Sequence, residues 1–268
     1  MKLASRPLYT RALMKVVVII PAAGLGTRMV GAPPPGRSSS AGKLPSPSKQ
    51  FAELNGIPII IHTLRKFSAA PQVQEIYVAL RKNEIESFQT RLDKDAPDLS
   101  KKRLQLVEGG EHRQQSVANA ISHVKAADDD VVLVHDAVRP FVDQEVIENV
   151  IQASVRYGAA IAGLPAVDTV KQVDRTSEGA IIVSTIPRER VVLAQTPQGF
   201  RFDVLKKAFD EAAADGFMGT DEASLVERSG HEVAVVMGSP RNIKITTPAD
   251  LELAEFYLQQ QTRQRAAG

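Results

Sequence analysis

The run Val16-Val17-Val18-Ile19-Ile20 has no polar side chain on either face. A strand with one wet face alternates apolar and polar residues, so a strand that is apolar throughout must be covered on both sides. Val131–Val134 repeats the pattern, and Glu75–Leu80 alternates before it too becomes apolar. Helically spaced segments separate these runs. Central strands that alternate with helices, and that need cover on both faces, require an α/β fold: a Rossmann-like, mostly parallel, doubly wound sheet.

The remaining periodicities predict helices over Pro58–Phe67, Asn83–Leu92, Arg113–Val124, Asp143–Tyr157, Asp203–Ala213, Asp221–Ser229 and Pro248–Gln259. Further strands are expected at Arg103–Val107, Ala159–Leu164, Val191–Gln195, Glu232–Met237 and Asn242–Thr246. Thr247 and Pro248 suit the N-cap and first position of the last helix. Residues 168–187 break the rhythm, being polar and strand-like with "DRTSEG" in the middle. A protruding β-arm fits them better than a crossover helix. No repeat or linker divides the chain, so one domain is expected over 1–268, with a disordered basic start at 1–15 and a flexible Pro/Ser-rich insertion at 31–48.

Composition removes several classes of function. A net charge of +2 over 268 residues does not suit a nucleic-acid coat. The absence of cysteine excludes disulfides, thiolate metal sites and a cysteine nucleophile. No apolar run approaches the ~20 residues of a membrane span. The basic N-terminus has some features of a targeting peptide, but only 15 residues precede the first strand. A cytoplasmic location is expected, or a plastid one should the chain be eukaryotic.

Chemistry is concentrated after the first strand. Gly24 and Gly26 follow it directly, where glycines let backbone N–H groups approach phosphate oxygens. Two motif matches fail here. The dinucleotide fingerprint needs a glycine where Met29 stands and an acid ~20 residues on, yet no acidic residue precedes Glu53. "GRSSSAGKL" has one residue too many for a P-loop, has Leu44 where the magnesium-binding hydroxyl belongs, and follows no strand. What remains is a glycine loop carrying Arg28, followed by Lys49. Cations so placed suit phosphoryl or nucleotidyl transfer, which depends on positioning and charge.

"PAAGLGTRM … SKQF" resembles the opening of the nucleotidyltransferases that act on sugar phosphates, specifically the cytidylyltransferases of polyol phosphates. The similarity is greatest to the 2-C-methyl-D-erythritol 4-phosphate cytidylyltransferases of the non-mevalonate isoprenoid pathway. It continues through "VEGGEHRQQSV", "VLVHDAVRPFV", "LPAVDTVKQV", "AQTPQGF", "GTDEASLVE" and "NIKITTPADLELAEFYL", in the family's order.

The resemblance implies roles for individual residues. Ala22, Ala23, Gly24, Gly26 and Arg28 would hold the triphosphate of CTP, and Lys49 would share stabilisation of the α-phosphate with Arg28. Gly110, Glu111 and Ser116 would meet cytosine, with Arg113 nearby; the family often has Asp at the place of Glu111. Asp136 would lie near ribose, substrate or metal, and Arg139 near the polyol phosphate. Thr169 would contact the acceptor, Arg188 would reach its phosphate from the arm of a second subunit, and Lys244 would position the attacking phosphate. Arg190 is a near neighbour of Arg188, and Thr196 and Thr220 are further lining candidates.

The resemblance also implies magnesium as cofactor, CTP and a polyol phosphate as ligands, and a homodimer, with no nucleic-acid or membrane partner. A phosphate monoester, with a second pKa of about 6, is largely ionised at neutral pH and needs no general base. His135 therefore reads as structural. The insertion before Lys49 leaves Lys43, followed by Leu44-Pro45, as an alternative register. A ribitol 5-phosphate cytidylyltransferase and an inactive nucleotide-binding regulatory module are the competing readings.

Overall fold

A computed structural model describes residues 14–24, 49–99, 103–177 and 179–267, with side chains through 263. The expected disordered start falls almost wholly, and the 31–48 insertion, Gly26, Arg28 and Lys43 wholly, outside the described residues.

The strands are β1 (Val16–Pro21), β2 (Glu53–Leu54), β3 (Ile57–Pro58), β4 (Val73–Leu80), β5 (Leu104–Glu108), β6 (Val131–Val134), β7 (Ala159–Pro165), β8 (Val170–Thr176), β9 (Gly179–Ile186), β10 (Val192–Arg201) and β11 (Ala234–Met237). The helices are α1 (Ile59–Ser68), α2 (Ile85–Asp95), α3 (Arg113–Ile121), α4 (Gln144–Tyr157), α5 (Phe202–Asp215), α6 (Glu222–Arg228) and α7 (Pro248–Ala267). Seven strands form one sheet in the order β11-β7-β10-β6-β1-β4-β5. All its pairings are parallel except those of β10, which runs antiparallel to both β6 and β7.

The reason for the apolar first strand is visible in the core. Val16, Val18 and Ile20 pack on one face with Ile60, Leu64 and Phe67 of α1 and Val146, Ile147 and Val150 of α4. Val17 and Ile19 pack on the other face with Val117 and Ala120 of α3 and Leu205 and Phe209 of α5. Each of these valines and isoleucines is almost fully buried, worth about 1.5–3 kcal/mol apiece against exposure. A polar residue anywhere in β1 would lose this on one face or the other.

Two stretches differ from expectation. Asn242–Thr246 belongs to no strand. Its ladder groups are already committed: the Ile245 N–H goes to the Val138 carbonyl, and the Asn242 carbonyl accepts from Arg139. Asp130, the last of three consecutive aspartates that would ordinarily face water, is buried. Its carboxylate accepts from the Lys15 and Ala127 N–H groups and so ties the start of β1 to the turn before β6. The Leu54–Pro58 segment is a tight hairpin, because Asn55 and Gly56 both adopt positive φ, 53° and 74°, the signature of a type I′ turn.

The arm is present. Among the described residues, β8 and β9 pair only with each other, and every one of them from Gln172 to Arg190 is exposed. Thr247 caps α7 as expected: its hydroxyl accepts the Asp250 N–H, and the Asp250 carboxylate returns to the Thr246 and Thr247 N–H groups.

Candidate functional site

In a parallel sheet, ligands bind beyond the carboxyl ends of the strands. At that edge β1 runs into Ala22-Ala23-Gly24, β5 into Gly109-Gly110, β6 into His135-Asp136 and β11 into residues 238–245. Because β10 runs the other way, its early residues return to the same edge, and Thr196 arrives beside Asp136.

The glycine-loop end is tied down from two sides. Gln50, almost fully buried, donates to the Ala22 carbonyl at 2.5 Å. Arg81, just past β4, donates to the Ala23 carbonyl at 2.9 Å. Lys49 and Gln50 share one 3-10 turn, Lys49–Phe51. The "KQF" element is thereby anchored against the start of the glycine loop, although a long stretch of chain separates them. Gly109 closes the other side. A Cβ there would lie 2.6 Å from the Ala23 Cβ, so only glycine lets the two strand ends approach.

The turn after β5 is ordered by its own side chains. The Ser116 hydroxyl accepts the Gly110 N–H at 3.1 Å and donates to the His112 carbonyl at 3.0 Å. The Glu111 N–H donates to Gln115 at 2.9 Å, while the Glu111 side chain is exposed. These bonds start α3 at Arg113, and no described residue would come within 4 Å of a Cβ at Gly24.

Asp136 is the centre of a charged cluster. The Lys244 Nζ lies 2.8 Å and the Arg139 Nε 3.4 Å from its Oδ2, and the Arg113 Nε lies 3.3 Å from its Oδ1. The Arg113 Nη1 also lies 2.7 Å from both carboxylate oxygens of Glu222. Three cations thus face two carboxylates. Burial opposes ionisation of Asp136, but Arg113 and Lys244 outweigh it and hold its carboxyl well below the usual carboxylate range. Burial also works against the charge of Arg113, yet Glu222 and Asp136 together raise its pKa above the ordinary arginine value. Glu222 is pushed up by burial, an effect Arg113 partly counters. The cluster keeps one net positive charge at the strand ends, suited to an anion with several phosphates.

His135 is buried beneath this cluster with its edge on Phe67. Burial pushes its pKa down to about 4, so the imidazole is neutral at pH 7. The Arg139 carbonyl can only accept, so the Nδ1 of the neutral ring is the acceptor and takes the Thr196 hydroxyl proton at 3.1 Å, while the Thr196 oxygen accepts the Asp136 N–H, also at 3.1 Å. Nε2 then carries the ring proton and donates to the Arg139 carbonyl at 3.1 Å. Both nitrogens are used, and His135 holds the Asp136–Arg139 turn, in keeping with its reading as structural.

Several candidates stand elsewhere. Thr169 and Thr220 are exposed, and Arg188 and Arg190 lie exposed at the root of the arm. Arg188 donates to the Val167 carbonyl at 2.8 Å and pairs with Glu189 at 3.8 Å, not with Asp136. Sequence reasoning overlooked Gln50, Arg81, Asn242 and Glu222. Asn242 is fully buried, bonds the Gln195 side chain and the Thr196 carbonyl, and through its own carbonyl orients Arg139. The signal for Glu222 was an acid beside the N-cap Asp221, a position that usually faces water.

The sheet order, the glycine-loop end pinned beside "KQF", and the cationic cluster at the carboxyl edge define a nucleotidyltransferase of the α/β class. The family model of 2-C-methyl-D-erythritol 4-phosphate cytidylyltransferase matches residues 16–260, and the chain belongs to that family. A relative of that name from Acidobacterium capsulatum is 55% identical over 249 residues, covering 93% of this chain and 99% of its own. Another, from Solibacter usitatus, is 49% identical over 248 residues, covering 92% and 97%. The crystal structure of 2-C-methyl-D-erythritol 4-phosphate cytidylyltransferase from Thermus thermophilus superposes with a TM-score of 0.69 at 32% identity, covering 92% of this chain and all of that one. That from Francisella tularensis gives 0.70 at 36% identity, covering 90% and 99%. The chain is therefore an enzyme, a cytidylyltransferase. Among the described residues, no helix is long and apolar enough to cross a membrane.

Proposed function

We propose that the chain transfers the cytidylyl group of CTP to 2-C-methyl-D-erythritol 4-phosphate. A phosphate oxygen of the acceptor attacks the α-phosphorus in line. The bond from that phosphorus to the bridging oxygen breaks, and pyrophosphate leaves. The observation that carries this reading is the cluster of Lys244, Arg139 and Arg113 around the ionised Asp136, beside the anchored loop end. Two polyanions must meet there, and their repulsion is the main barrier that positioned cations remove.

On this reading Ala22, Ala23 and Gly24, with Gly26 and Arg28 further along the loop, hold the triphosphate, and Lys49 and Arg28 stabilise the α-phosphate. Gly110, Glu111 and Ser116 read cytosine. Lys244 and Arg139 steer the acceptor phosphate, and Thr169 and Arg188 reach the acceptor from the arm of a partner subunit. The arm supports a homodimer: an isolated two-stranded hairpin is marginal in water, and this one exposes Val173, Ile181, Ile182 and Val183. A second copy would cover them.

Magnesium fits this site through its donors. Among the described residues, no group of three or more acidic or histidine side chains converges. Asp136, a carboxylate at the strand ends, would offer it an oxygen, and phosphates and water would supply the remaining ligands. When bound, the ion adds charge neutralisation on the phosphates.

The test is CTP-dependent pyrophosphate release with 2-C-methyl-D-erythritol 4-phosphate and ribitol 5-phosphate as alternative acceptors. Preferential turnover of ribitol 5-phosphate would overturn the choice of acceptor. Absence of turnover with either, despite CTP binding, would favour a regulatory module.

A further inference from the structure

The connection between α5 and α6, together with the first residue of α6, touches the first turn of α3 at three points. The Gln114 side chain donates to the Phe217 carbonyl at 3.0 Å and accepts the Gly219 N–H at 2.9 Å. One residue earlier, Arg113 meets Glu222 at 2.7 Å through Nη1 and Asp136 at 3.3 Å through Nε.

Glu222 itself sits on a rigid mount. It is 1% exposed, at the first position of α6. Asp221 and Ser224 close a capping box around that turn. Gln198 of β10 bonds both the Asp221 carboxylate, at 2.8 Å, and the Ala223 N–H, at 3.0 Å, so the helix start is clamped to the sheet. A buried carboxylate mounted this firmly is a fixed reference for the guanidinium it holds.

We propose that Glu222 is a positioning residue for cytidylyl transfer: acting through Arg113, it sets the cytosine-reading turn at a fixed spacing from Asp136. This rests on the assignment of that turn to CTP and of Asp136 to the acceptor side. Arg113 begins the helix that the Gly110–Ser116 turn leads into, so fixing its guanidinium fixes the turn. The two contacts are unequal, 2.7 Å to Glu222 against 3.3 Å to Asp136, so Glu222 has the stronger hold. Without that charge, Arg113 would close on Asp136, the remaining carboxylate of the cluster, and compete there with Lys244. The acceptor-side lysine and the base-reading turn would then shift together.

The experiment is a double-mutant cycle on the full chain with Glu222→Gln, Arg113→Met and both together, read by steady-state kinetics with CTP and methylerythritol phosphate and by thermal melting. Glu222→Gln is isosteric, and the double variant replaces a buried ion pair with neutral groups of similar size, a change that folds tolerate. Glu222→Gln is expected to lower kcat about tenfold or more, with a smaller rise in KM for CTP, because it removes the charge that aligns Arg113 while the groups that meet CTP keep their chemistry. Glu222→Asp should restore part of kcat. The double variant should be no worse in kcat/KM than Arg113→Met alone. Glu222→Gln within twofold of wild type, losses that multiply in the double variant, or losses that follow only the folded fraction would each overturn the proposal. Wild-type turnover in the same assay separates a failure of this inference from a failure of the functional reading.

Discussion

Thr196→Val tests the hydrogen-bond wiring under the site. One hydroxyl accepts from the Asp136 N–H and donates to the His135 Nδ1, both at 3.1 Å and both buried. Valine keeps the shape and loses both bonds. The imidazole cannot recover by exchanging tautomers. With the proton on Nδ1 it would point at a methyl group, and Nε2 would turn a lone pair toward the Arg139 carbonyl. Two buried polar groups are orphaned, each costing about 1–3 kcal/mol, or roughly 2–6 kcal/mol together. For a chain of this size each kcal/mol moves the melting midpoint by about 2–4 °C, so a fall of about 4–24 °C is expected. Thr196→Ser keeps the hydroxyl and should lose at most about 1 kcal/mol for one methyl group. Differential scanning calorimetry with both variants settles the matter. A Thr196→Val midpoint within about 1 °C of wild type, or a serine variant that falls as far, would refute the hub role of Thr196.

Further outcomes follow from the same geometry. The folded pKa of His135 is depressed to about 4, so the unfolded chain takes up this proton first. Its effect on stability is nil above about pH 6.5 and grows to a loss of about 1.4 kcal/mol per pH unit as pH falls toward 4. The His135 C2–H resonance should stay flat from pH 8 to about 5, and titration near 6.5 would contradict its burial as a neutral ring. Lys49→Ala and Arg28→Ala should each lower kcat by on the order of 10²–10³, the loss expected for one preorganised donor. Lys43→Ala should do far less, and the reverse order would move the clamp to Lys43. Mixing Arg188→Ala subunits with Lys49→Ala subunits should restore measurable activity in hybrid dimers, if the arm serves the neighbouring site. No recovery would place the complete site within one chain.

Much of this architecture is legible in the residues. A strand buried on both faces reads as an apolar run, and an amphipathic helix reads as a stripe, because each pattern is set by the element's own geometry. Val131–Val134 matches its expected bounds for that reason, and Asp136 could be placed beyond a strand end. β10 was harder to read. Its second half, "TPQGF", carries Pro and Gly, and only its pairing with β6 and β7 shows that the strand continues through them. The misread Asn242–Thr246 stretch has strand-like residues but meets its neighbour through the Ile245 N–H bond to the Val138 carbonyl rather than through a ladder.

The layers, the carboxyl-edge position of the glycine loop, the arm, and the family to which the motifs belong can all be read from the residues in order. These follow from local periodicity and from motifs contiguous in the chain. Only the tertiary structure decided that Arg113 answers to Glu222, 109 residues away. It also decided that Gln50 pins Ala22, that Lys244 and Arg139 share one oxygen of Asp136, and that Thr196 serves His135 and Asp136 at once. Charge pairing between distant segments leaves no period in the sequence. Its energy depends on burial and on ångström-scale distances, and those exist only after the sheet has brought the strand ends together.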